Sequence, residues 1–399
     1  MHAAPDPRLK PQSGLRRVLV RVHRYLGLAI AAFLILAGVT GSILVFQHEL
    51  DRAINPGLWH AEAGQPLSPQ AIADRVEAAD ARVTARWIPL GTPHAADVWV
   101  DWKGGAARGY DQMFVDPVTG AVNGTRAYGA ATLDGPHLLP FVHQLHKSLF
   151  LPGTAGAWLL GIVAILWIVD SFAGWALTVP PGGLRRWWRS WTVKRDASAA
   201  RRTLDLHRAG GLWLWPLVVL MAVSSLALTL PHEVFEPAVE RVSKLSPEAW
   251  DDRPVQTAAP GLDFDEALAT ATVAARTAGE VRPSSGLYFG PEASLYGVRF
   301  GQEDEAGAGQ TWVFLDSRDG RLLRVDTATS GTAGDVIRRA QLPIHAGRIG
   351  GLPTRILACL LGLAIAGLAL TGVLVWNRKR RARGVSRSRS RVRATAPAI

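Results

Sequence analysis

The sequence predicts a membrane protein: a four-helix transmembrane bundle of two parallel internal repeats, each with an inserted α+β module outside the bilayer. Four apolar runs, at 26–46, from about 157, at 212–230 and at 352–376, are each about 20 residues long with few charges. At ~1.5 Å per residue such a run crosses the ~30 Å of hydrocarbon in a bilayer. Two turns of like composition, Asp116-Pro117-Val118-Thr119-Gly120 and Asp316-Ser317-Arg318-Asp319-Gly320, stand 200 residues apart. The charge is unevenly divided. Residues 1–25, 180–208 and 377–399 hold 23 of the 44 Lys and Arg against three of the 33 acids, a net +20, which leaves −9 for the rest of a chain that totals +11.

The basic segments set the orientation. By the positive-inside rule both termini and the 180–208 loop are cytoplasmic, and 47–156 and 231–351 face outward. The chain then reads as a cytoplasmic N-terminus (1–25), a first span (26–46), a first outer module (47–140), and an edge helix with the second span (141–179). A cytoplasmic loop (180–206), a third span (207–230), a second outer module (231–340), an edge segment with the fourth span (341–376) and a basic tail (377–399) complete it. The first run lacks a small-residue cleavage site before His48-Glu49-Leu50, so it reads as a retained anchor. Within the first module, Ser68 caps a helix that starts at Pro69 and ends near Ala81. Alternating segments at 97–102 and 112–115, the turn at 116–120 and a return from Ala121 read as strands. The second module repeats this plan with a helix over 264–277 and strands at 286–289, 294–300, 311–315 and 321–325. The basic tail reads as a topology anchor near anionic lipid rather than a nucleic-acid surface. Trp158, Trp175, Trp187, Trp188, Trp191, Trp213 and Trp376 read as an interfacial belt.

Histidines mark the edges of the spans. His23 precedes the first run, His146 the second, His207 the third and His345 the fourth. His23 and His207 are 184 residues apart, and His146 and His345 are 199 apart. Equivalent residues of two parallel repeats face each other across the axis that relates them. The expected pairs are therefore His23 with His207 near one leaflet and His146 with His345 near the other. One histidine at a span boundary is ordinarily an interfacial residue. Four at matching positions point to shared ligation, because ionisable groups at membrane depth are costly. His143, His48 and His232 fall at the outer edge and are alternative outer-site ligands, whereas His60, His94 and His137 read as loop residues.

The chemistry follows from what is present. The single cysteine, Cys359, lies in the last run, so within one chain a disulfide framework, a Cys-based zinc or iron–sulfur site and covalent haem attachment are excluded. A histidine pair from facing helices holds a planar metallated ring, and two axial imidazoles on haem iron favour electron transfer over binding at the metal. The reading is two non-covalent haem b groups whose iron is held by His23 with His207 and by His146 with His345. Arg24, Arg208 and Arg348 are candidate propionate partners. Asp170, the clear acid within a span, is a candidate partner for the other nitrogen of a ligand histidine, or a member of a proton relay. The Asp-x-x-x-Gly turns are hairpin chemistry and lack the ligand spacing of an EF-hand.

The motifs His23-Arg24-Tyr25-Leu26-Gly27-Leu28, the Asp116 turn, Leu145-His146-Lys147-Ser148-Leu149, Asp205-Leu206-His207-Arg208 and Ile344-His345-Ala346-Gly347-Arg348 together resemble the PepSY-associated transmembrane (PepSY-TM) family over residues 15–380. That resemblance implies PepSY-like outer modules and a multi-pass protein of the bacterial inner membrane, in the company of iron-regulated proteins and haem-containing ferric siderophore reductases. It further implies electron transfer from cytoplasm to periplasm through two b-type haems, releasing Fe(II) from a ferric siderophore or similar chelate lying between the outer modules. The ligand roles carry over to His23, His207, His146 and His345. Some relatives bear an appended flavodoxin- or reductase-like domain; none is read here, so the expected donor is a separate protein or a membrane quinol. Two other function classes fit part of the pattern. One is a non-enzymatic membrane module whose outer domains bind a peptide, protease or transport partner. The other is a permease for an iron complex, against which stand four spans without a broken-helix signature.

Overall fold

A computed structural model of the chain describes residues 14–105, 109–180, 184–256, 259–302 and 309–395. In chain order the elements are α1 (Gly14–Leu44), α2 (Gln47–Ile54), α3 (Pro69–Ala79), β1 (Val83–Pro89), β2 (Ala96–Trp102), β3 (Gln112–Val115), β4 (Val122–Arg126), α4 (Gly135–Ser148), α5 (Ala155–Thr178) and α6 (Ala199–Thr229). There follow α7 (Glu236–Glu240), α8 (Phe264–Thr277), β5 (Ser284–Gly290), β6 (Leu295–Phe300), β7 (Thr311–Asp316), β8 (Leu322–Asp326), α9 (Ala333–His345) and α10 (Leu352–Thr395). The chain divides into two compact units, one of residues 1–42, 157–229 and 359–399 and one of residues 43–156 and 230–358.

The first unit is helical. Helices α1, α5, α6 and α10 each contain a stretch long and apolar enough to cross a membrane. Ile30, Trp167, Val218, Ala222, Leu361 and Ile365 form its core. Leu360 and Leu363 on α10 are 58% and 49% exposed, a pattern that fits helices surrounded by lipid rather than water. Two of these helices begin earlier than the apolar runs: α1 at Gly14 and α6 at Ala199, because Arg-bearing turns continue the helix beyond the hydrocarbon-length stretch. His23 and His207 therefore lie inside helices that extend beyond the apolar runs 26–46 and 212–230. The 184–191 segment folds back on this unit: Ser190 Oγ donates to the Thr178 carbonyl, Trp187 Nε1 to Thr178 Oγ1, and Trp213 Nε1 to the Trp191 carbonyl.

Helices α1 and α10 meet through glycine. A Cβ placed on Gly38 would lie 2.5 Å from the Gly362 carbonyl oxygen, and Ser42 Oγ donates to the Cys359 carbonyl at 2.8 Å. Backbone cannot yield to a side chain there. Gly38→Leu should therefore lower the thermal midpoint in detergent, whereas Gly367→Leu, with nothing within 4 Å of its added Cβ, should leave it nearly unchanged. Equal midpoints for the two variants would count against this helix contact.

The second unit is an α+β layer. Its eight strands form one antiparallel sheet in the order β4-β3-β2-β1-β5-β6-β7-β8. Helices α3 and α8 cover one face, burying Ile72, Val76, Ala271, Leu287, Tyr296 and Val313 in a single core. Ser68 caps α3 as expected, and α8 has a reciprocal capping box between Asp263 and Glu266. The two helix starts also bond each other: Ser68 Oγ donates to Asp265 Oδ2 at 2.6 Å, and the Phe264 amide to Gln70 Oε1 at 3.1 Å. Gly120 and Gly320 both adopt φ +73°, the left-handed conformation the two hairpin turns require.

Strand β1 was not foreseen. Its alternation is broken by a bulge between Ala85 and Trp87, which sends Arg86 and Trp87 out of step with the buried Val83, Ala85 and Ile88. β1 pairs antiparallel with β5 through Trp87 with Tyr288, Ile88 with Leu287 and Pro89 with Gly286. The two expected modules thus share one sheet and one core. Their facing strand edges are hydrogen-bonded to each other, so these edges do not flank a cleft for a chelate.

Candidate functional site

Each unit holds one pair of facing histidines. In the helical unit the rings of His23 (α1) and His207 (α6) stand 6.0 Å apart between centroids, tilted by 37°. In the α+β unit the rings of His146 (α4) and His345 (α9) stand 6.3 Å apart, tilted by 54°. Aromatic rings in ordinary contact span ~4.5–7 Å, so separation alone does not decide what a pair is for. The ring nitrogens add the discriminating observation. His23 Nδ1 lies 2.9 Å from Asp170 Oδ1 on α5. His207 Nδ1 lies 3.0 Å from the Leu368 carbonyl and 3.2 Å from Thr371 Oγ1 on α10. A carbonyl only accepts, so Nδ1 of His207 carries the proton, and the carboxylate assigns the same tautomer to His23. In both rings Nε2 then holds the lone pair, as in histidines that ligate metals.

The space around this pair is a cavity of about 940 Å³, at the upper end of the ~300–1,000 Å³ range of ligand pockets. Its walls include Leu28, Leu34, Trp167, Trp215, Val218 and Ile365, and its cations are Arg16, Arg24, Arg208, Lys379, Arg380 and Arg383. Asp170 is the acid among the lining residues and is 8% exposed. Glycines make room for the rings: a Cβ on Gly174 would lie 3.0 Å from His23 Cε1, and one on Gly372 would lie 3.1 Å from His207 Cε1.

The His146–His345 pair is set by helix ends. Asp134 caps α4 by accepting from the His137 amide, and His146 falls in the last turn before Leu149 at φ +56°. Thr332 and Asp335 form a capping box at the start of α9, and His345 is its final residue. Gly347, at φ +71°, turns the chain toward α10; a Cβ there would meet the Thr354 carbonyl oxygen at 2.6 Å. Burial pushes His345 down to about 4, so it is a neutral donor at ordinary pH.

The other candidates are placed as follows. His143, one turn before His146, packs edge-on to Tyr128 with centroids 5.5 Å apart, and its buried Nδ1 has no hydrogen-bond partner among the described residues. Burial, with Lys147 nearby, holds its pKa below the usual histidine range. His232 Nδ1 bonds Glu236 at 2.8 Å, with its side chain 77% exposed. His48 lies in α2, with Nε2 3.5 Å from Gln47 Nε2. Arg24 and Arg208 line the cavity around His23 and His207. Arg208 also pairs with Asp205 at 2.9 Å, and its buried Nε lacks an acceptor among the described residues. Arg348 sits in the link after α9, its amide donating to the Pro343 carbonyl. Sequence reasoning missed Arg16, which donates to the carbonyls of Leu177 and Val179, and the two glycines beside the rings. The signal was available for the glycines: Gly174 and Gly372 are 198 residues apart, as are Asp170 and Leu368.

A planar tetrapyrrole can be tested against this geometry. Two metal–imidazole bonds of about 2 Å in line, with about 1.1 Å from each donor nitrogen to its own ring centre, put the centroids roughly 6 Å apart. Both pairs match that distance. The cavity around His23 and His207 adds apolar walls, cations for carboxylates and an orphaned guanidinium nitrogen, so the residues there fit haem. Among the described residues, no cluster of three or more His, Cys, Asp or Glu side chains is arranged to hold a bare metal ion.

A comparison with curated proteins finds no match. The family described as the PepSY-associated TM region matches residues 20–379, nearly the whole chain. With four apolar helices, an α+β sheet and that match, the chain is a membrane protein and belongs to the PepSY-associated TM region family.

Proposed function

We propose that this protein is a di-haem electron-transfer protein of the bacterial inner membrane that reduces a ferric siderophore or similar ferric chelate on the periplasmic side, releasing Fe(II). The observation that carries the reading is the recurrence of one geometry: two imidazole pairs, one in each unit, at 6.0 and 6.3 Å. We read them as belonging to two parallel repeats with both termini cytoplasmic, on the strength of the matched spacings and the charge division. Haem b held between two imidazoles supplies one-electron transfer and leaves no open metal position for a substrate.

The protein's own residues do the rest. The Nδ1 atoms of His23 and His207 are engaged, which leaves Nε2 of each ring as the nitrogen that would ligate iron. Trp167, Trp215 and Val218 keep the inner site apolar, and Arg16, Arg24 and Arg208 offer charge to propionates. In the outer pair His345 is held in its neutral form at ordinary pH, so it would meet a metal without loss of a proton. An electron donor, such as a cytoplasmic reductase or a quinol, is required by this reading.

The test is the absorption spectrum and haem-to-chain ratio of protein purified from haem-replete cells. A low-spin b-type spectrum with about two haems per chain is expected. Colourless protein would overturn the reading and favour a non-enzymatic membrane module.

A further inference from the structure

The inner histidines are gripped by the same device twice, and the two versions differ in charge. On α5, Asp170 accepts from His23 Nδ1, and Gly174, one turn later on the same face, lets the ring edge approach. On α10, the Leu368 carbonyl accepts from His207 Nδ1, and Gly372, one turn later, receives that ring edge. Acceptor and glycine are four residues apart in each helix, and the two sets are 198 residues apart. One acceptor is a carboxylate. The other is a peptide carbonyl, helped by Thr371 Oγ1, which also donates to that carbonyl at 2.9 Å.

We infer that the inner site holds unequal ligands: Asp170 acts as a positioning residue that makes His23 the more electron-donating imidazole, while His207 stays an ordinary neutral one. This rests on the haem reading above. A carboxylate accepting from Nδ1–H pulls the proton and raises the donor strength of Nε2, and a stronger axial donor stabilises the ferric state. The arrangement is tolerable at this depth because the same cavity gathers Arg16, Arg24, Arg208 and Lys379. Gly174 and Gly372 fix where the rings stand, and the acceptors fix how strongly they donate.

The test uses the full-length protein in detergent, in a His146→Ala background that leaves the inner site as the one read. The readouts are its reduction potential and its low-spin electron paramagnetic resonance spectrum. Asp170→Asn, which keeps an oxygen acceptor but removes the charge, should raise the potential and shift the spectrum. Asp170→Glu should bring both back toward the starting values. Thr371→Val should shift both far less, because the Leu368 carbonyl remains. Equal shifts in Asp170→Asn and Thr371→Val, or none in either, would overturn the inference while leaving the haem assignment standing. If Asp170→Asn loses its haem and Thr371→Val keeps it, the inequality is supported; if both lose it, the inference fails. A background protein without haem would instead be a failure of the functional reading itself.

Discussion

A His146→Ala variant is expected to keep its sheet and lose about half of the bound haem, because it removes one imidazole from one of two sites. The pair it breaks stands at a helix end: His146 occupies the last turn of α4, and its ring faces His345 at the close of α9. Alanine is a good helix residue, so α4 should persist. His345→Ala should have the same effect on haem content, and the double variant should lose no more than either single change. Full haem content in both single variants would remove the outer pair from the functional reading. His232→Ala, by contrast, removes an exposed side chain bonded to Glu236 and should leave the spectrum as it was.

The largest effect on stability is expected at Asp51. Its carboxylate meets Arg126 at 2.7 Å, and the two side chains are 6% and 3% exposed. Trp59 Nε1 and Asn55 Nδ2 also donate to it, while Arg126 Nε donates to Gln112 and its guanidinium lies over the Phe114 ring. Asp51→Ala would strand the buried guanidinium, a change that costs about 3–5 kcal/mol. For a unit of this size that corresponds to a drop on the order of 10 °C in the thermal midpoint. The double change Asp51→Leu with Arg126→Met should be less damaging than Asp51→Ala alone, since it leaves no unpaired charge. Thermal unfolding followed by tryptophan fluorescence reads this directly. A double variant less stable than the single one would mean that the pair contributes more than mutual neutralisation.

How much of this was legible in the sequence depends on the range of the force involved. Local signals carried the elements. Ser68 with Pro69 announced α3, and the periodicity at 264–277 matched α8 to the residue. Runs of apolar residues announced the four long helices, although the continuation of α1 and α6 through charged turns was hidden, since hydropathy marks the hydrocarbon and not the helix. The matched spacings anticipated which histidine rings meet: His23 with His207 and His146 with His345. What was lost is what depends on long-range pairing. β1 carries Arg86 and a bulge, so its local pattern is poor, and its place in the sheet is decided by β5, some 200 residues away. Asp170 was visible as an isolated acid. That its counterpart at 368 is a backbone carbonyl was not visible, since side-chain patterns say nothing of main-chain acceptors.

The zipped junction of β1 and β5 makes the halves of the chain interdependent. Cut between them, each fragment would expose a raw central edge, β1 or β5, seven residues long and flanked by buried apolar side chains, the kind of edge that recruits other chains. The rims that do meet solvent, β4 and β8, are five residues each and carry Asn123 and Arg324. The seam between the two expected modules is thus the middle of a single sheet, with β1 and β5 as its central pair.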